Sequence, residues 1–174
     1  LKTENELPEG IRLTSMDLET EEVQVFASED YLANLEELET KSIDLSSITE
    51  SGSIEVELAS SEQIRKLNQS SVKVNVEIEE KEERVMEDIP ISTENQPEDL
   101  EIELDATTIS VTLTGFPSIL DEISESDIEA FVNLSGLSSG THEVPLSIQL
   151  TEEFQEQVQI TSETENITVV LTDE

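Results

Sequence analysis

The chain has 174 residues, of which 34% are apolar, with four Phe, one Tyr and no Trp, and its 43 acids against 8 bases give a formal net charge of −35. So acidic a surface lacks the cations that release counterions from a phosphate backbone, which excludes nucleic acid as a partner, and it repels anionic lipid for the same reason. Absence of Cys removes any disulfide frame or thiolate chemistry, and no apolar run approaches the ~20 residues of a membrane span. The acids are interleaved with regular apolar positions, the pattern of a folded chain and not of a charged disordered one.

In chain order, Val23 and Val25 alternate as a half-buried strand does. Ser28-Glu29-Asp30 then offers a cap and an acidic first turn to a short helix carrying Leu32, Leu35 and Leu38. Ile54/Val56/Leu58 and Val72/Val74/Val76/Ile78 predict two further strands, with Gly52 in a turn that calls for positive φ. Glu79-Glu80-Lys81-Glu82-Glu83-Arg84 reads as a charged linker. Beyond the extra apolar stretch Val85–Ile91, the series starts again.

Thr93-Glu94-Asn95 with Pro97 echoes Thr3-Glu4-Asn5 with Pro8, and Val111-Thr112-Leu113-Thr114 echoes Val23-Gln24-Val25-Phe26. Ile119, Leu120 and Ile123 match Tyr31, Leu32 and Leu35, with Pro117 in the first turn of the second helix, where its missing N–H costs little. Val132-Asn133-Leu134-Ser135-Gly136-Leu137 matches Ile43-Asp44-Leu45-Ser46-Ser47-Ile48, and Gly140 matches Gly52. The last strands align as Ile167, Val169, Leu171 on Val74, Val76, Ile78. An internal repeat of this length marks two copies of one module, residues 1–80 and 81–174. The Val85–Ile91 stretch has no counterpart in the first copy, which is therefore expected to lack its first strand. A start at Leu1 without Met points the same way, to an excised fragment.

No catalytic, cofactor-binding or metal-ligating residue is expected. His142 is the sole histidine and reads as an exposed or edge side chain of a strand. No Gly-x-Ser-x-Gly elbow or glycine-rich phosphate loop is present. The clusters Glu19/Glu21/Glu22 and Glu79/Glu80/Glu82/Glu83 lack the ligand spacing of an EF-hand loop and read as solvated faces. Every Lys and Arg lies at or before Arg84, and residues 85–174 hold 21 acids, so no salt bridge is expected within that half.

The turn and short helix Gly115-Phe116-Pro117-Ser118-Ile119-Leu120-Asp121-Glu122-Ile123, the hexamer Val132–Leu137, and the Gly140 turn with its strand together resemble the YbbR domain. The first copy carries the same series with Ala27 for Gly115 and Ser47 for Gly136. The resemblance implies an all-β fold, mainly strands with a short helix per repeat, in irregular crossed-strand sheets. It implies a non-catalytic, extracytoplasmic part of a membrane-anchored regulator of the diadenylate cyclase that makes cyclic di-AMP in Gram-positive bacteria. The cyclase would be met through a membrane helix outside these residues. The alternative is a structural cell-surface spacer or adhesion module that binds a protein partner.

Overall fold

A computed structural model describes residues 1–173 of the chain. It divides into two compact units, Leu1–Glu80 and Lys81–Glu174. The first holds β1 (Lys2–Glu4), β2 (Ile11–Leu18), β3 (Val25–Ala27), α1 (Glu29–Asn34), β4 (Ser42–Asp44), β5 (Gly52–Glu57), β6 (Ile64–Leu67) and β7 (Ser71–Glu80). The second holds β8 (Glu82–Glu94), β9 (Leu100–Leu104), β10 (Thr108–Gly115), α2 (Pro117–Leu120), β11 (Ile128–Asn133), β12 (Gly140–Leu150), β13 (Gln159–Thr161) and β14 (Asn166–Asp173).

The second unit is one sheet in the order β13-β10-β8-β11-β12-β14-β9. Its organiser is β8, which lies antiparallel to β10 along Glu82–Pro90 and parallel to β11 along Ile91–Glu94. One strand thus serves two neighbours in succession, and the sheet curls around the junction. Opposite Ser110 the strand bulges, with Asp88 at φ 60°, as a residue inserted without a partner bends its strand. Alternation on β8, β10, β11 and β14 then buries Ile89, Val111, Leu113, Val132, Val169 and Leu171 almost completely.

The first unit repeats this topology in pieces. Pairs β3–β6, β1–β4 and the sheet β2-β7-β5 correspond to β10–β13, β8–β11 and β9-β14-β12. A bridge between Thr40 and Leu58 joins the β4 side to β5. Beside β3, nothing occupies the position that Glu82–Pro90 takes in the second unit, among the described residues.

Several sequence expectations change. The acidic run 79–84 is no linker: Glu79 and Glu80 end β7, Glu82–Arg84 begin β8, and only Lys81 lies between the strands. Residues 79–84 carry no apolar side chain, so nothing in the run marks it as strand. The last strands align differently, since Gly52 pairs with Val76 as Gly140 pairs with Leu171. Val72, Val74 and Val76 are thus the counterparts of Ile167, Val169 and Leu171, and these six are the buried ones. The first helix stops at Asn34, leaving Leu35 and Leu38 outside it. Gly140 has φ 138°, whereas Gly52 begins its strand without positive φ. Strands β1, β6 and β13 are too short to show alternation and β2 is interrupted by a bulge, so these are visible only through their pairings. Strand β9 does alternate, with Leu100, Ile102 and Leu104 half-buried and Glu101 and Glu103 exposed.

Candidate functional site

Two features concentrate the chemistry of this fold. The first is a lock that occurs once in each unit. The chain turns sharply after β1 and after β8, putting Asn5 at φ 61° and Asn95 at φ 53°; Asn tolerates this left-handed region better than most residues. From that position Asn5 Nδ2 donates to Asp44 Oδ1 at 2.9 Å, and Asn95 Nδ2 donates to Asn133 Oδ1 at 3.0 Å. The same acceptors take the backbone N–H of Ser46 at 3.0 Å and of Ser135 at 2.9 Å. Bonds from the Ser46 hydroxyl, then from Asn5, hold the Asp44 carboxyl below the usual aspartate range. The Thr-Glu-Asn triplets and the hexamers, separate matches in the sequence, are thus two halves of one contact.

The second feature is a groove of about 660 Å³ in the first unit. Leu1, Val25, Leu35, Leu38, Leu58 and Val72 are among its apolar lining, and Glu21, Glu22, Glu36 and Glu37 also line it. No His, Lys or Arg lines it. Its apolar side chains are unevenly covered: Leu1 is 50% exposed whereas Leu58 and Val72 are buried, and Leu32 on the adjoining helix is 41% exposed while its counterpart Leu120 is 1% exposed. The only sequence signal for this groove is the extra stretch Val85–Ile91 of the second copy.

His142 lies in the stretch of β12 that pairs with β14 alone, the edge setting that is one of its two expected ones. It lies half-buried on the inward face of β12, opposite Val169, and its Nε2 is 2.8 Å from the Ser138 carbonyl oxygen. No group of three or more His, Asp and Glu side chains converges as a metal site among the described residues. Single members of the acidic clusters pair with cations. Glu79 accepts from Arg12 at 2.8 Å, Glu19 lies 4.0 Å from Lys73, and Glu57 meets Lys41, which holds the Glu57 carboxyl low. A cation reaches residues 85–174 only from outside them, where Arg84 pairs with Asp121 at 2.9 Å as well as with Glu82 at 2.9 Å, among the described residues. Lys81 Nζ sits 5.7 Å from the ring centre of Phe116, within cation–π range. Asp127, hydrogen-bonded by the side chain and backbone of Ser124, is likewise held below the usual aspartate range.

A mainly-β tandem with these matched locks defines a repeat protein of one module type, and comparison with known proteins identifies the module. The family model described as YbbR-like protein matches residues 1–76 and 87–171. The chain belongs to the YbbR-like family. It is 31% identical over 145 residues to the CdaA regulatory protein CdaR of Bacillus subtilis (strain 168), covering 82% of this chain and 30% of that protein. The chain therefore spans about 30% of the length of this curated relative. Among solved structures, it is similar to a YbbR-like domain from Listeria monocytogenes, with 22% identity and a TM-score of 0.46, covering 53% of this chain and 95% of that one. A YbbR-like protein from Streptococcus pneumoniae TIGR4 gives 26% identity and a TM-score of 0.46, over 54% of this chain and 48% of that one.

Proposed function

We propose that the chain is a non-catalytic regulatory module, part of a membrane-anchored protein that controls a diadenylate cyclase from the extracytoplasmic side. The observation that carries this reading is the 31% identity over most of the chain to a protein named as the regulator of CdaA. The chemistry is consistent with it. The groove offers carboxylates, amides and hydroxyls but no imidazole or cation, and His142 is engaged with a backbone carbonyl. No helix among the described residues is long and apolar enough to cross a membrane, so the anchor and the cyclase contact would belong to other parts of the protein.

The test is made in the cell that carries the full-length gene. Deleting both units while keeping the rest of the protein should change cyclic di-AMP levels under at least one growth condition. Unchanged levels in every condition, with the shortened protein present at normal amount, would overturn the regulatory reading.

Two units with corresponding strand pairings favour a second reading, a spacer that sets a distance. Replacing both units by unrelated β-modules of equal length separates the two. A spacer survives the exchange and a specific regulatory surface does not.

A further inference from the structure

Corresponding strands border a sheet in each unit, β2 in the first and β9 in the second, and the two borders are guarded differently. A bare strand edge invites a further strand unless its line is broken or it carries charge. On β2 the line is broken by a bulge between Leu13 and Ser15, and Arg12 is paired with Glu79. Strand β9 has no such break: it keeps one register with β14 from Leu104–Val169 to Leu100–Asp173. No strand lies on its other side among the described residues.

The ladder fixes what that free edge presents. The Asp105 N–H donates to the Thr168 carbonyl oxygen at 3.0 Å. Bonded and non-bonded positions alternate along an antiparallel pair, so Glu103 and Glu101 continue the bonded set. The N–H and C=O groups of Leu100, Ile102 and Leu104 therefore point away from β14. The side chains of these three residues are only half-buried against the core of the second unit, which leaves them a flank for a neighbouring strand to cover. Glu101 and Glu103 are exposed on the opposite face, and neither they nor Glu98 and Asp99 just ahead of the strand pair with a Lys or Arg among the described residues.

The guard on β9 is thus charge alone, and charge selects. Two β9 edges laid side by side would bring Glu101 and Glu103 of one copy against those of the other, and like charges on facing strands are destabilising. A strand with Lys or Arg at alternate positions turns that repulsion into attraction and brings the cations that residues 85–174 lack.

We propose that the free edge of β9 is a strand-acceptor site for an extended basic segment of a partner protein, in which Lys or Arg alternates with Val, Ile or Leu. Its main chain bonds the outward amides and carbonyls of Leu100, Ile102 and Leu104. Its apolar side chains extend the row those three residues form over the core, and its cations lie beside Glu101 and Glu103. The site lies wholly within the second unit and is independent of the regulatory reading.

The probe is a capped peptide in which Lys alternates with Val, long enough to span β9, added to the present chain at saturating concentration. Hydrogen exchange of the Leu100, Ile102 and Leu104 amides should slow by at least about tenfold. A peptide methylated on the main-chain nitrogens that would face β9 keeps every charge and should give no such protection. The double variant Glu101→Lys, Glu103→Lys should lose the Lys peptide and gain a peptide in which Glu alternates with Val. Unchanged exchange at the three amides overturns the proposal. Equal protection by the methylated peptide also overturns it, since the contact would then be charge without strand addition. Protection that grows with protein concentration in the absence of peptide would assign the edge to a second copy and overturn the partner.

Discussion

Asn5 and Asp44, 39 residues apart, are joined by a 2.9 Å hydrogen bond, and 90 residues further along the chain Asn95 makes the same bond to Asn133 at 3.0 Å. In each case a residue in left-handed conformation closes the turn after a strand that runs parallel to its partner. A parallel pair has no hairpin to set its register. The side-chain bond supplies part of that setting by tying the end of one strand to the end of the next.

Asn95→Ala removes this bond and forces a residue with a Cβ into φ 53°, so it should lower stability by about 1–2 kcal/mol. Asn95→Gly keeps the conformation and loses only the bond, with a loss of roughly 0.5–1 kcal/mol expected. Urea unfolding of the whole chain, followed by hydrogen exchange to assign the transition to the second unit, checks the order. Equal effects for Ala and Gly would mean that the left-handed turn contributes nothing.

The two locks differ in one respect that pH exposes. Asp44 titrates and Asn133 does not. Because its folded pKa is depressed, the contribution of Asp44 is present above its ordinary value of 3.8 and is lost as pH falls below that value through the folded one. Asp44→Asn should therefore flatten the acid dependence of the first unit in that window and leave the second unit as it was. The Ser46 amide resonance, followed during acid titration, reports the protonation directly and should move at a lower pH than a free aspartate would.

Several long strands and the repeat are legible in the sequence because burial at every second residue of β5, β7, β10 and β14 writes itself as alternation of Ile, Val and Leu with polar residues. The lock is only half legible, since its two ends lie about 38 residues apart and become one contact through parallel pairing. The alignment of the last strands misses by two residues for a physical reason. Period-two patterns fit equally well at any even shift, and only the cross-strand pairs of Gly52 with Val76 and Gly140 with Leu171 select one. Arg84 is read as linker because a strand that begins in an acidic run shows no apolar face there. Its partner Asp121 is distant in sequence and marked by nothing local.

Gly115 tests how tightly the second unit is packed. A Cβ there would meet Val158 Cγ2 at 3.0 Å and Leu120 Cδ2 at 3.2 Å. Gly115→Ala should cost about 1–3 kcal/mol by overpacking, although Ala27 stands at the matching place in the first unit. Thermal melting of the variant checks this. A neutral result would show that Val158 and Leu120 can retreat.

The unequal covering of the two helices predicts unequal costs of truncation. Leu120→Ala removes a side chain that is 1% exposed and should lose about 2–5 kcal/mol. Leu32→Ala removes one that is 41% exposed and should lose under about 1 kcal/mol. Denaturant midpoints of the two variants decide it, and similar losses would mean that Leu32 is covered in solution.

Salt should act on the two units unequally. The second carries 23 acids against Lys81 and Arg84 alone, whereas the first carries 20 against six bases. Arg84 serves two carboxylates, Asp121 and Glu82, which leaves the remaining acids of that unit with Lys81 as its one other Lys or Arg. Their repulsion extends over roughly 30 Å at 0.01 M ionic strength and roughly 10 Å at 0.1 M. Raising sodium chloride from about 10 mM to about 0.3 M should therefore raise the melting temperature of the second unit more than that of the first. Arg84→Gln should steepen the salt dependence by releasing Asp121 and Glu82 into the unpaired set. Calorimetry across a salt series, with exchange protection to assign each transition, measures both slopes. Parallel slopes would show that the carboxylates of the second unit are spaced widely enough for water to screen them without added ions.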